Sequence, residues 1–462
     1  MSSKPQSVLM TDGSPIKRIV TFAAPIFLGN LFQQLYNTVD SLVVGNFLGK
    51  SALAAVSSSG SLIFLMVGFF TGISVGAGVV ISRFFGARDI ENVHKAVHTT
   101  VAFGLVAGIL LTAIGVPLTP YILRWMDTPE NVMVNSVKYY QIYFAGVTAI
   151  VLYNIAVGIL QAVGDSRHPL QYLMISSAVN VVLDLLFVGV FHFGVGAAAL
   201  ATTISQALSA FLAFWRLTHV TGEFRVELKK IRFHKDTLKM VLSTGLPTGV
   251  QNSIIAFANV IVQSSINVFQ DAAVAGCGSY AKVEGYAFLP ITSFSMAITT
   301  FISQNLGAKK YDRAKKGATL GCICSVTLAE LIGVAIYIGA PYLIAAFNRD
   351  PEVVAFGTRQ ARTASLFYCL LAFSHCIAGT MRGAGKAKVP MFVMLICWCV
   401  IRVTYIKLVT FYTNDIVYIF WAYPITWFLS SVTFLIYFLK SDWIHGFEQT
   451  PLASASHHHH HK

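Results

Sequence analysis

Gln33-Gln34-Leu35-Tyr36-Asn37-Thr38-Val39-Asp40 lies inside an apolar run that extends from about Ile16 to Leu48. A helix needs roughly 20 residues to cross the hydrocarbon core of a bilayer, so this run is long enough to span. Asp40 sits well within it. An ionisable group at membrane depth costs roughly 2.5–3.5 kcal/mol on insertion scales, and such residues mark pathways and coupling sites. At 100° per residue, Gln33, Tyr36, Asn37 and Asp40 share one helix face, with Gln34 to its side. A polar stripe ending in a carboxylate must face protein or a water-filled cavity. The competing reading is an interior polar patch that only packs helices together.

The rest of the chain has the same character. Of its 462 residues, 55% are hydrophobic and 11% charged, and the mean hydropathy is +0.66. Soluble domains carry about 25% charged residues, which makes this a polytopic membrane protein. The first fourteen residues are polar and lack the apolar core of a signal peptide, so the first span is expected to direct insertion. His457 to His461 and Lys462 read as purification-tag residues and carry no metal argument.

The formal charge of +13 does not point to nucleic acid, because its placement follows the positive-inside rule. One set of loops holds Lys17 and Arg18, then Arg83, Arg88 and Lys95, then Arg167, seven basic residues from Arg216 to Lys239, Lys309 to Lys316, Arg382, Lys386 and Lys388, and Lys440. The intervening loops hold little beyond Lys50, Arg124 and Arg349. Both termini are therefore expected to be cytoplasmic. The seven cysteines all fall in the second half, and the Cys-x-Cys pairs at 322/324 and 397/399 diverge by about 200° on a helix. They read as small buried apolar residues rather than a metal site. His94 and His98 share a helix face but lack a third ligand, and read as solvated.

Twelve apolar segments follow one another, at about 16–47, 52–82, 93–117, 131–160, 169–190, 195–217, 238–268, 273–304, 317–340, 352–380, 390–411 and 416–439. A basic stretch without a helix-length apolar run divides them six and six. The expected organisation is an N-terminal segment (1–15), an N-lobe of six spans (16–217), a basic linker (218–237), a C-lobe of six spans (238–440) and a tail (441–462). The halves are copies. Pro25, Asn30 and Asn37 correspond to Pro247, Asn252 and Asn259 at an offset of 222, and Gly86-Ala87 to Gly307-Ala308 at 221. Gly164 and Pro169 correspond to Gly385 and Pro390 at 221. Six spans per copy return the chain to its starting side. The repeats are thus parallel, related by a pseudo-twofold along the membrane normal, with a substrate site expected between them near the midplane.

The fifth span carries a second acid. Asn180 and Asp184 are four apart on one helix face, and Ser177 continues the stripe. The sixth span opens with Gly194 to Ala201, small residues that permit close packing, followed by Thr202 and Thr203. If spans one, five and six meet, Asp40, Asn180, Asp184 and Thr202 supply oxygen ligands of the kind hard cations choose. Two carboxylates at low dielectric equally favour holding a proton between them. Na⁺ and H⁺ both remain open as the coupling ion, and no other cofactor is expected.

These residues together resemble the multidrug and toxic compound extrusion (MATE) family, over about residues 15 to 440. The resemblance rests on Pro25, the Gln/Asn/Asp40 stripe, the Gly86-Ala87 and Gly307-Ala308 loops, Gly164 before Pro169, Asn180 with Asp184, and Gly196 to Thr202. It is most similar to the bacterial MepA-like branch. The resemblance implies an all-α membrane protein of twelve helices in two six-helix lobes. It further implies a monomer in a bacterial plasma membrane that exports small, lipophilic or cationic compounds in exchange for Na⁺ or H⁺, with the cation site on Asp40, Asn180, Asp184 and Thr202. The C-lobe departs from the pattern of the NorM-type branch: the seventh span, Leu246 to Phe269, has no acid, and the tenth offers only His375.

The C-lobe has charges of its own, Lys282, Glu284, Glu330, Arg402 and Lys407. Arg402 is the repeat mate of Asn180. It is expected either to pair with Glu284 or to grip an anionic or zwitterionic substrate. Candidate substrate-cavity residues are Gln33, Gln34, Tyr36, Asn37, Asn154, Met296, Glu284 and Arg402. Tyr139, Tyr140, Phe288 and Phe301 are further candidate lining residues. Lipids and a small-molecule substrate are the expected partners. A lipid-precursor flippase of the same superfamily is the first alternative, disfavoured by the acidic N-lobe stripe. No metalloprotease or nucleophile-elbow motif supports an intramembrane enzyme.

Overall fold

The computed structural model describes residues 9–57, 60–125, 130–269 and 271–448. Residues 127 to 129 of the turn before the fourth span, and the terminal histidines, lie outside them. Contacts group the chain into two units. One holds Pro25–Ser243, and the other holds Met10–Ala24 together with the chain from Thr244 onward.

The first unit contains α1 (Pro15–Ser57) from Pro25 on, α2 (Gly60–Gly86), α3 (Ile90–Trp125), α4 (Glu130–Ala145), α5 (Val147–Ala162), α6 (Arg167–Asp184) and α7 (Val195–His219). The second contains the start of α1, most of α8 (Lys235–Ile266), then α9 (Asp271–Gly307), α10 (Tyr311–Phe347), α11 (Pro351–Ala364) and α12 (Tyr368–Gly383). It closes with α13 (Lys388–Met394), α14 (Arg402–Tyr412), α15 (Ile416–Phe420) and α16 (Ala422–Lys440). Among the described residues, eleven spans are long and apolar enough to cross a membrane, and the pair α4–α5 makes a twelfth.

That pair is bent by 48°, where the apolar run 131–160 suggested one helix. The break falls at Gly146, whose backbone leaves helical geometry (φ −96°, ψ 3°), and a Cβ there would run into the Thr203 side chain of α7. Only a residue without a side chain admits α7 so closely. The second unit breaks at the corresponding place, where a 3₁₀ turn, Ser365–Phe367, separates α11 from α12.

The turns carry the repeat into three dimensions. Gly164 has φ +85° and Gly385 has φ +82°, the left-handed region that favours glycine. Each closes its helix with the same pair of bonds: Gly164 N to Gln161 O and Asp165 N to Leu160 O, against Gly385 N to Arg382 O and Lys386 N to Met381 O. This is the paired closure of a glycine C-terminal cap. Arg88 (φ 57°) and Lys309 (φ 60°) repeat the correspondence at the same offset of 221.

Two connecting segments are docked. In the second unit, Met10 N donates to Gln304 Oε1 at 2.8 Å, and Asn305 Nδ2 and Arg313 Nη2 donate to Met10 O at 3.1 and 3.0 Å. In the first, the linker buries Val220, Phe224 and Val226 against Phe85, Val93 and Val97. His98 corrects the reading of a solvated pair. It is fully buried, its Nδ1 lies 2.7 Å from His94 O, and its Nε2 accepts from Glu227 N at 3.0 Å. His98→Ala is expected to weaken the docked linker by about 1 kcal/mol, the worth of one such bond. Faster trypsin cleavage at Arg225 to Lys230 would report it, and an unchanged cleavage rate would contradict it.

Four of the seven cysteines, Cys277, Cys322, Cys376 and Cys397, are buried and the rest half-buried, all as free thiols.

Candidate functional site

The site forms where α1, α6 and α7 meet inside the first unit. Asn180 and Asp184 project from α6 at helical spacing and are 2% and 1% exposed. Asn180 Nδ2 donates to Tyr36 Oη at 2.6 Å and reaches Thr202 Oγ1 at 3.5 Å, while Tyr36 Oη lies 3.4 Å from Thr202 Oγ1. Thr202 Oγ1 in turn donates to Ala198 O one turn back. Small residues line α7 beside this cluster: Ala198, Ala199 and Ala201 are buried, and Gly196 packs closely against Ile142 of α4.

The carboxylates of Asp40 and Asp184 are near enough to interact electrostatically. Directly after Asp184 the helix widens into a π-helix, Leu185–Val190, a geometry that recurs at functional sites. Four acceptor atoms here are buried and have no donor within the protein: Asp40 Oδ1, Asn180 Oδ1, Asp184 Oδ1 and Asp184 Oδ2. Buried acceptors are almost always satisfied. A shell of unsatisfied oxygens from carboxylate and amide, with hydroxyls of Tyr36 and Thr202 alongside, suits a hard cation or a shared proton. Among the described residues no cluster of three His, Cys, Asp or Glu side chains could hold a metal.

The four residues read from sequence as a cation site thus come together. Tyr36, placed in sequence with the cavity, is a hub of the same hydrogen-bond cluster. Gln33 and Asn37 are exposed on α1 and Gln34 is half-buried. Asn154 is half-buried in α5 and donates back to Ile150 O at 3.0 Å. Met296 and Phe288 are half-buried on α9. Tyr139 and Tyr140 lie in an apolar core of the first unit, and Phe301 in the interior of the second.

In the second unit the direct Glu284–Arg402 pair is not formed. Arg402 is 3% exposed. Its Nε and Nη2 donate to Thr426 Oγ1 at 3.1 and 2.8 Å, and the rings of Tyr423 and Trp398 lie 4.5 and 5.7 Å away. Glu284 instead interacts with Tyr280 and feels Arg402 only at longer range; Tyr280 Oη lies 2.6 Å from Tyr368 Oη. Aromatic faces attract a guanidinium, and a periodicity argument could not have placed them beside it. Lys282 is exposed and lies over the Phe347 ring at 5.6 Å. The cage carries a prediction of opposite signs. Thr426→Val removes the acceptor of two guanidinium donors and should destabilise by about 1–3 kcal/mol. Arg402→Met, apolar and of similar length, should leave thermal stability unchanged or raised, since replacing a buried charge by a packed hydrophobe is often neutral or favourable. A large loss in Arg402→Met would contradict this account.

Two copies of a six-span unit, one of them holding a buried acid–amide–hydroxyl cluster, define a polytopic membrane transporter. The chain belongs to the MATE family: the MatE family model matches residues 25–186 and 247–406, one match in each repeat. Members of this family are transporters and not enzymes. A curated relative, "Probable multidrug resistance protein YpnP" of Bacillus subtilis, is 28% identical over 394 residues, covering 85% of this chain and 88% of its own. The expected likeness to MepA is also found: the "Multidrug export protein MepA" of Staphylococcus haemolyticus is 20% identical over 379 residues, covering 82% and 83%. Among solved structures, a MOP superfamily transporter from Pyrococcus furiosus superposes with a TM-score of 0.89 at 22% identity, covering 97% of this chain and 100% of that one.

Proposed function

We propose that the protein is a secondary antiporter that exports small organic compounds, lipophilic or cationic, in exchange for Na⁺ or H⁺. Asp40, Asn180, Asp184 and Thr202 hold the coupling ion, with Tyr36 bridging the amide and the hydroxyl. One observation carries this reading: four buried acceptor oxygens at the cluster have no donor within the protein. A cation or proton satisfies them, and its arrival and departure change the charge that a cationic substrate meets. A ligand can shift a conformational equilibrium only through a differential interaction with its two states, and this cluster supplies one. Relatives that carry the words multidrug resistance in their names support the substrate class. In the same reading the protein acts as a monomer among membrane lipids and needs no cofactor beyond the coupling ion.

The test is export by the purified protein in liposomes, driven by an imposed Na⁺ gradient or an imposed pH gradient, with a panel of cationic, neutral and anionic compounds. Export with neither gradient dependence would refute the antiport reading. A second reading, export of an anionic or zwitterionic metabolite, is favoured by Arg402 having no carboxylate in direct contact. Anion export lost in Arg402→Met would support it. A flippase of lipid-linked precursors is a third reading, which the same panel would reveal by its failure to move any soluble compound.

The reading extends to orientation. The alternate basic loops support a bacterial plasma-membrane protein with both termini in the cytoplasm. On a cysteine-free background, Arg225→Cys is expected to resist an impermeant thiol reagent added to intact cells and to react after permeabilisation. Labelling from outside would reverse the topology.

A further inference from the structure

We infer that the second unit contains a binding site for a small monovalent anion, a halide such as chloride, centred on Arg382. Arg382 stands in the last turn of α12 and is 9% exposed. Its Nη2 donates to Ser295 Oγ at 3.2 Å and its Nη1 reaches Gln251 Oε1 at 3.5 Å. Both acceptors are neutral, and Nε makes no hydrogen bond within the protein. No acidic side chain pairs with Arg382 among the described residues. Removing a charge from water is costly even after relaxation. Two bonds to neutral oxygens do not offset that cost.

Local alternatives do not account for the charge. A basic residue in a last helical turn can cap free carbonyls, but here the backbone has taken them. Ala384 N donates to Thr380 O, Gly385 N to Arg382 O and Lys386 N to Met381 O, at 2.9–3.0 Å. The helix dipole adds a partial negative charge nearby but offers no lone pair to Nε. Among the described residues no aromatic ring covers Arg382, whereas Arg402 in the same unit has two.

The surroundings offer further polar groups. His375, seven residues earlier on the same face of α12, has a buried Nε2 without a hydrogen-bond partner, a donor in the tautomer that carries its proton there. Its backbone oxygen takes the Ser295 hydroxyl proton at 2.8 Å, which turns that oxygen's lone pair toward the guanidinium. Gln251 is 3% exposed and gives its amide N–H to Met394 Sδ at 2.9 Å, a weak acceptor that an anion outcompetes. Gly379, between His375 and Arg382, holds α12 against α9: a Cβ there would lie 2.7 Å from Ser295 O and Ser295 Oγ. Guanidinium and amide N–H groups without an anionic partner recognise anions strongly. One cation without a second charge calls for one negative charge, hence a monovalent ion. The site is independent of the acid cluster and of antiport.

The test uses the whole purified protein, heated in sodium chloride, sodium bromide, sodium acetate or sodium gluconate at equal sodium concentration and ionic strength. The apparent Tm is expected to rise saturably with chloride or bromide relative to gluconate. In Arg382→Gln the halide concentration for half of the rise should increase about tenfold or more. Bromide-soaked crystals of the unsubstituted protein should show anomalous density beside Arg382, a readout that does not depend on the variant folding. No halide-dependent rise, an equal rise in Arg382→Gln, a rise with acetate but not halide, or no bromide density beside Arg382 would each overturn the proposal.

Discussion

Liposomes carrying Asp184→Asn should lose gradient-driven export, down to the level of protein-free vesicles, while the purified variant unfolds at the same temperature as the parent or higher. The two signs come from one cause. Asp184 is 1% exposed, and neither of its carboxylate oxygens has a donor within the protein. An amide keeps the shape but removes the exchangeable charge, so no ion is bound and released with the transport cycle. It also brings two N–H donors to the unsatisfied oxygens around it, which relieves a buried polar cost of about 1–3 kcal/mol per group. Asp40→Asn should behave alike because the two carboxylates interact within one cluster. The double variant should be no worse than either single one, as groups acting as a unit are not additive. Full gradient-driven export by a folded Asp184→Asn protein would remove the coupling assignment.

The second large effect is steric. Gly333→Ala in α10 should lower stability by about 3 kcal/mol, the upper part of the range for overpacking. A Cβ at Gly333 would run into Ser365 O, a backbone atom of the 3₁₀ turn that separates α11 from α12, and Ser365 is itself buried. Neither side can yield by a rotamer change. Gly339→Ala, six residues on in the same helix, is the control: its Cβ would meet only Leu343, at 3.9 Å. There the helix preference of alanine over glycine, about 1 kcal/mol, should act alone and leave stability equal or higher. Equal thermal shifts in the two variants would show that the contact at Ser365 does not decide the packing of α10.

The sequence by itself determined the class and the repeat. Hydropathy and the alternation of basic loops are properties of whole segments, so they survive averaging over 462 residues. The offset of 221 to 222 named the very glycines whose left-handed φ closes α5 and α12 in the same way. The acid cluster was legible for a related reason. A carboxylate in an apolar run is costly alone, so Asp40 and Asp184 each called for a partner, and helical spacing supplied Asn180.

Tertiary structure decided what depends on residues far apart in sequence. Nothing local shows that Gly146 meets Thr203 and bends the fourth span, because helical period fixes a face and not its neighbour. Charge alone offers Arg402 either an acid partner or an anionic substrate, but Thr426, Tyr423 and Trp398 hold it through geometry that only folding brings about. Arg382 read as one of a group of loop cations, and His98 as solvated. The fold buries both, since a residue near a helix end is exposed or enclosed according to what packs over that end. For His98 that is the linker, and for Arg382 it is α8 and α9.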